Sequence, residues 1–156
     1  MTSTLPHSLL AGRFEVLEQV GSGGMGTVYR ALDRQTGQAA AIKLLSTERP
    51  QARESERFER EARLLAELRH PAIVGYVAHG LAADGRPFLA MEWLEGEDLA
   101  QRLLKGPLSS GEVVLLFRQV AAALDFAHRA GVIHRDLKPS NIFLRGGQVE
   151  SVALLR

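Results

Sequence analysis

The chain has 156 residues, 46% of them hydrophobic and 24% charged, with a formal net charge of +1. This is the composition of one modest globular domain, or of part of a larger one, and not of a disordered segment. The near-neutral charge gives no basis for nucleic acid or an anionic membrane as partner, and the absence of cysteine excludes a disulfide framework or a thiolate metal site. The N-terminal MTSTLPHSLLAGRF lacks the basic start and apolar core of a signal peptide. The longest run of bulky apolar residues, VVLLF at 113–117, is far too short to span a bilayer, so a soluble, cytoplasmic chain is expected.

Residues 1–12 read as a loose leader. FEVLEQV (14–20) and TVYRAL (27–32) read as two strands joined through a glycine cluster, DRQTG (33–37) as a turn, and QAAAIKLL (38–45) as a third strand. Both faces of that third strand are mostly apolar, which suits a strand covered on both sides. At ESERFEREARLLAELRH (54–70) the period changes. Phe58, Ala62, Leu65 and Leu68 recur at helical spacing, and Pro71 ends the helix. AIVGYVAHGL and PFLAMEWL read as a hairpin turning at Asp84-Gly85. EGEDLAQRLLKG reads as a short helix after a linker-like Gly96. The stretch 108–131 is the clearest helix, with a Ser109/Glu112 capping box, an apolar stripe of Val113, Phe117, Val120, Leu124 and Ala127, and a stop at Gly131. Strands and one helix precede helices, an order that predicts an α+β arrangement of two lobes joined near Glu95-Gly96.

GSGGMGTV (21–28) sets Gly21, Gly23 and Gly26 in a G-x-G-x-x-G-x-V pattern. Glycine lets backbone amides approach a polyphosphate with no Cβ in the way, although the pattern by itself also fits a mobile hairpin turn. It joins two strands, whereas a dinucleotide fingerprint opens a helix, and no Gly-Lys-Ser/Thr follows it. Lys43, inside the third strand, reads either as a lysine snorkelling from a sheet face or as an ammonium for phosphate oxygens that wants a carboxylate partner. Glu61 is the candidate partner. It lies about 40° around the helix from Leu65 and about 60° from Phe58, bordering the packed stripe, and a surface salt bridge is its other reading. In HRDLKPSN (134–141), Asp136 can accept a hydrogen bond from an attacking hydroxyl. Lys138 can neutralise a transferring phosphoryl group, and Asn141 offers a neutral oxygen to Mg2+.

With VGSGGMGTVYRA, AAIK, FEREARLLAELRHPAIV, MEWLEGEDL and GVIHRDLKPSNIFL in this order and spacing, the chain resembles a eukaryotic-type serine/threonine protein kinase of the bacterial branch. The resemblance covers about residues 13–155. It implies an α+β, two-lobe protein-kinase-like fold, with a small antiparallel sheet lobe and one helix (13–95) and the start of a helical lobe (96–156). It implies ATP and Mg2+ as cofactors and protein Ser/Thr hydroxyls as acceptors. Val20, Gly21, Ser22, Gly23, Gly24, Met25, Gly26 and Val28 would cover ATP, with Val28 and Ala41 above the adenine. Lys43 would hold the phosphates and pair with Glu61. Met91 would close the back of the pocket, Glu92 and Leu94 would bond the adenine edge through their backbones, and Phe143 would lie beneath it. Asp136 would be the catalytic aspartate, Lys138 its electrostatic helper and Asn141 a metal ligand. Arg135 would meet a phosphorylated activation loop. Lys138-Pro139 after HRDL favours serine/threonine over tyrosine.

The departure from the pattern is at the end. In the family, VALL runs into Asp-Phe-Gly, whose aspartate is the chief metal ligand, and here Arg156 stands in its place. A fragment with an incomplete metal site is therefore expected to transfer little or no phosphate by itself, at tenfold in rate per about 1.4 kcal/mol lost. The apolar circumference of the 109–130 helix leads to an expectation of self-association. A non-catalytic ATP-binding or interaction module is the alternative. A small-molecule kinase is disfavoured by the lysine two residues after the aspartate.

Overall fold

Side-chain alternation builds the first half of the chain. The structure, a computed structural model, describes residues 8–23, 26–46 and 52–155. Six antiparallel strands form one sheet in the order β1-β2-β3-β4-β6-β5: β1 (Leu9–Leu10), β2 (Phe14–Gly23), β3 (Gly26–Asp33), β4 (Gln38–Leu45), β5 (Tyr76–Leu81) and β6 (Pro87–Glu92). One side of it carries the core, where Phe14, Val16, Ala31, Ile42, Phe88 and Ala90 are all but closed to solvent. The Phe14 and Phe88 rings meet edge to face at 6.0 Å, an arrangement that favours aromatic pairs beyond their buried area. The segment read as a leader needs correction. Leu9 and Leu10 pair with Glu15 and Phe14, and Leu10 is buried in the core. A two-residue strand has no period of its own, which is why the pattern hid it. On β4, Ala40, Ile42 and Leu44 are buried while Ala41, Lys43 and Leu45 are half-buried, so the two faces are unequal.

Helix α1 (Ala52–Glu67) stops three residues short of the expected His70. The residue before Pro71 is pushed out of the helical region, and the His70 imidazole instead accepts the Ala72 N–H at 3.1 Å. The hairpin between β5 and β6 turns at Asp84-Gly85 as expected. Gly85 has φ +85°, and the Asp84 carboxylate takes the Arg86 backbone N–H at 3.0 Å and its guanidinium at 2.7 Å.

The chain divides into two compact units, one reaching Ala66 and including Tyr76–Trp93, the other joining Glu67–Gly75 to the residues from Leu94 onward. In the second unit a three-stranded antiparallel sheet runs β7 (Gly96–Asp98), β8 (Ile142–Arg145), β9 (Val152–Leu154) in that spatial order. The segment 72–74 lies along β9, with Leu154 N–H donating to Ala72 O at 2.9 Å and Val74 N–H to Leu154 O at 3.1 Å. The stretch expected as one helix around 95–106 is a strand followed by the six-residue α2 (Leu99–Leu104), capped by Asp98 and Gln101 in a reciprocal box. Gly96 is no linker. Its φ is +140°, and a Cβ there would collide with the Leu144 carbonyl of β8.

Helix α3 (Ser110–Arg129) starts at the expected box, Ser109 N–H donating to Glu112 Oε2 at 2.7 Å and Glu112 N–H to Ser109 Oγ at 3.2 Å. Its buried stripe is rotated from the expected one. Leu116, Val120, Ala123 and Ala127 are covered, while Phe117 is 67% exposed and Val114 59%. Gln119 explains the rotation. Its amide donates to Val149 O at 2.6 Å and accepts the Val152 N–H at 3.3 Å, which turns its face of the helix toward the 149–152 turn. Among the described residues no helix is long and apolar enough to cross a membrane.

The turn after β3 is held by a buried ion pair. The Asp33 carboxylate receives Arg13 Nε at 2.9 Å and Nη2 at 2.7 Å, the Gln35 N–H at 3.0 Å and the Thr36 hydroxyl at 3.1 Å. The bidentate guanidinium is the main reason its pKa is held down at about 2, against the opposing effect of burial. The ionised form is therefore favoured in the folded state. Its stabilisation is fully present above the ordinary pKa of 3.8 and is lost as pH falls from there through about 2. We expect Asp33→Ala to destabilise the chain by about 2 kcal/mol at pH 7. In urea titrations the gap to wild type narrows below pH 4 and nearly closes at about pH 2.

Candidate active site

Residues directly opposite each other on neighbouring strands share a face of the sheet. β4 lies between β3 and β6, and Lys43 is opposite Val28 on one side and Leu89 on the other. Ala41 is opposite Met91, two residues along and so on the same face. Gly21 of β2 is opposite Val28. The register thus brings Gly21, Val28, Ala41, Lys43 and Met91 to one face, away from the Phe14–Ile42–Phe88 core. Val20 falls in the register shift between Gln19 and Gly21 and is 46% exposed. Ser22 pairs with Thr27 and Gly23 with Gly26, while Gly24 and Met25 lie outside the described residues.

The motif glycines differ in why they are glycine. A Cβ on Gly26, whose φ is +140°, would collide with the Leu44 carbonyl, so the fold itself demands glycine there. A Cβ on Gly21 or Gly23 would meet nothing within 4 Å, so no packing within the described residues accounts for them. Glu61 is on α1 in the same unit, and its carboxylate takes Arg57 Nε at 3.1 Å, one turn away. Glu92 ends β6 in the first unit and Leu94 opens the second.

In the second unit the structure brings Asp136, Lys138 and Asn141 together. Asn141, at the end of a single 3-10 turn (Pro139–Asn141), donates its amide to Asp136 O at 2.8 Å and to Asp136 Oδ2 at 3.1 Å. The Lys138 ammonium reaches the same Oδ2 at 2.9 Å. The Lys138 hydrogen bond is the main reason the Asp136 carboxyl is held below the usual carboxylate range, with the Asn141 amide acting in the same direction and desolvation opposing. The carboxylate stays ionised and able to accept a proton. The Asn141 amide nitrogen is thus committed to two acceptors on Asp136. Phe143 on β8 is half-buried, between the buried Ile142 and Leu144.

His134 and Arg135 shape the same loop. His134 Nδ1 accepts the Asp136 N–H at 3.3 Å, so Nε2 carries the proton, and it meets Leu155 O at 2.6 Å. Leu155 N–H donates to Asn141 O at 2.9 Å. The chain after β9 is therefore fastened to both ends of the loop. Arg135 has φ +62°, left-handed for a non-glycine residue, and this reversal lets Asp136 N–H also reach His134 O at 2.9 Å. Periodicity carries no signal for these contacts. A cavity of about 270 Å3 in the second unit, lined among others by His70, Arg118, Gln119 and Glu150, holds none of the predicted site residues.

A glycine-rich strand pair, a lysine on β4 and an Asp-Lys-Asn loop after a long helix are the features expected of the protein kinase class. The chain belongs to the protein kinase domain family, which its residues 14–153 match. It is similar to the serine/threonine-protein kinase pkn2 of Myxococcus xanthus, 47% identical over 141 residues that cover 89% of this chain and 17% of that protein. It is also similar to PknK of Mycobacterium tuberculosis, 38% identical over 92% of this chain and 13% of that protein. The crystal structure of the PknI kinase domain of M. tuberculosis shares its fold, with a TM-score of 0.86 and 30% identity, over 98% of this chain and 61% of that one. The chain thus spans a minor part of the length of its curated relatives. Protein kinases in general use ATP and Mg2+.

The glycines separate fold from ligand. Gly26→Ala is expected to lower stability by about 2 kcal/mol or more, through strain and the collision with Leu44. Gly21→Ala should leave the melting curve within about 0.5 kcal/mol of wild type while weakening ATP binding. Thermal melts with and without ATP check both.

Proposed function

We propose that this chain carries the nucleotide-binding surface and catalytic loop of a serine/threonine protein kinase, which transfers the γ-phosphoryl group of ATP to protein hydroxyls. The observation that carries the reading is the Asp136 carboxylate held between the Lys138 ammonium and the Asn141 amide, at 2.9 and 3.1 Å. A carboxylate kept ionised can orient an acceptor hydroxyl and take its proton. The adjacent ammonium can offset charge on the group in transfer. The names of the relatives support serine and threonine as acceptors.

On this reading Val20 to Val28 cover the phosphates, and Gly21 and Gly23 leave their backbone open to close approach. Gly24 and Met25 belong to the same assignment. Val28 and Ala41 are assigned to adenine packing, and Phe143 by the family resemblance. Met91 closes the back, and the backbones of Glu92 and Leu94 bond the adenine edge. Lys43 meets the phosphates, oriented by Glu61. The unobstructed Gly21 and Gly23 and the shared face of Val28, Ala41 and Lys43 fit a nucleotide. Mg2+, when bound, would supply charge neutralisation, and Asn141 would offer it one oxygen. A cytoplasmic location belongs to the proposal, since ATP is the substrate.

ATP is expected to raise the melting temperature of the purified chain, and Lys43→Met to cancel most of that rise while Asp136→Asn keeps it. Any trace of labelled phosphate that the chain transfers to a protein acceptor, measured at high enzyme concentration, should be absent in Asp136→Asn. An ATP shift that Lys43→Met leaves intact would sink the assignment.

The open face of α3 supports self-association as a further part of the proposal, because Val114 and Phe117 are more than half exposed on adjacent turns. Sedimentation velocity should show concentration-dependent assembly that Phe117→Gln reduces. A monomer at all concentrations contradicts it.

A further inference from the structure

Three aromatic side chains link α1 to the edge strand β5. The Phe58 ring of α1 packs edge-on against the imidazole of His79, with centroids 6.1 Å apart and planes at 73°. His79 Nδ1 lies 2.6 Å from the Tyr76 hydroxyl, and the two rings are 5.8 Å apart. Tyr76 and His79 are three residues apart on one strand, so regular alternation would put them on opposite faces. The register of β5 on β6 shifts between Tyr76 and Ala78, and this bulge returns both side chains to one side.

The arrangement does more than fill space. A side chain at position 79 that only packed could rotate about its terminal bond. The hydrogen bond to the half-buried Tyr76 fixes the imidazole plane, and the fixed plane gives Phe58 one preferred edge to meet. Phe58 is three residues before Glu61, and a helix turns as a rigid rod over so short a span. Whatever sets the rotation of α1 at Phe58 also sets the position of the Glu61 carboxylate.

We infer that His79 is a positioning residue for phosphate binding: oriented by Tyr76, it holds α1 through Phe58 so that Glu61 is presented to Lys43. This deepens the kinase reading and rests on its assignment of Lys43 and Glu61. The effect is selective for the phosphates. The adenine contacts are assigned to Val28, Ala41, Glu92, Leu94 and Phe143, none of which is on α1.

The test measures ATP and adenosine affinity in parallel by calorimetry on the full 156-residue chain, for wild type, His79→Leu, Tyr76→Phe and Phe58→Leu. The expected result is a loss of ATP affinity of about three- to tenfold in each variant, with adenosine affinity within about twofold of wild type. The double variant Phe58→Leu/His79→Leu should lose no more than the worse single one, because both remove one link. His79→Gln, which keeps an acceptor for Tyr76 without the ring, should fall between wild type and His79→Leu. Circular dichroism confirms that each protein compared is folded, and Tyr76→Phe, which removes a single oxygen, serves as the gentlest probe. Equal losses for ATP and adenosine, or no loss in any variant, overturn the inference while the nucleotide reading stands. A wild-type chain that binds adenosine and ATP equally well overturns the assignment of Lys43 and Glu61, and the inference with it.

Discussion

The position of β4 is the constraint on which the six-stranded unit depends. It is hydrogen-bonded on both sides, to β3 and to β6, over Ala40–Leu44. A strand held from both sides cannot slip by one residue without exchanging its entire core face for its open one. Ala40, Ile42 and Leu44 are nearly closed to solvent, so that exchange would expose the centre of the core and bury a lysine. The core therefore fixes the face on which Lys43 stands. Val28 and Met91 follow, because each is paired to β4 by the same register. The binding face is a by-product of packing on its opposite side.

The catalytic loop is organised on another principle. Asp136, Lys138 and Asn141 are within six residues of one another, and no strand register holds them. Side-chain-to-backbone hydrogen bonds do so instead. Asn141 binds the Asp136 carbonyl and carboxylate together, which ties the orientation of the acid to the course of its own backbone. His134 and Leu155 add the outer ties, so the left-handed turn at Arg135 is held by contacts on both sides. A strained residue persists where its surroundings over-determine it, and this loop has that character. The acid is held ionised by the same Lys138 contact that would serve the transferring group.

Much of this was legible in the sequence. The strands β2 to β6, both long helices, the Ser109/Glu112 box and the Asp84-Gly85 turn follow from period, capping and turn chemistry, and the kinase motifs pointed to Asp136, Lys138 and Asn141 as one cluster. What escaped has physical reasons. Leu9–Leu10 is too short to show a period. Gly96 read as a linker because sequence does not reveal that a carbonyl of β8, almost fifty residues on, occupies the space of its missing side chain. The buried stripe of α3 was misjudged because the helix is apolar over most of its surface, and a polar residue, Gln119, set the rotation by bonding to the 149–152 turn. The Arg13–Asp33 pair joins residues twenty apart whose meeting depends on the β2–β3 register.

Tyr76 and His79 show the same limit most sharply. Their spacing of three is a helical signature inside a strand, and only the bulge in β5 makes them neighbours. Sheet residues such as Lys43 are held by pairing on both sides, whereas a helix lying on a sheet is held by side chains alone. Side-chain contacts of this kind contribute about 1 kcal/mol each, enough to select one rotation of the helix but little more. Of the proposed Lys43–Glu61 pair, the lysine is therefore fixed by the fold, and the glutamate is the one whose position a few contacts can shift. Small changes around α1 should consequently act on phosphate binding before they act on stability, while changes beneath β4 should do the reverse.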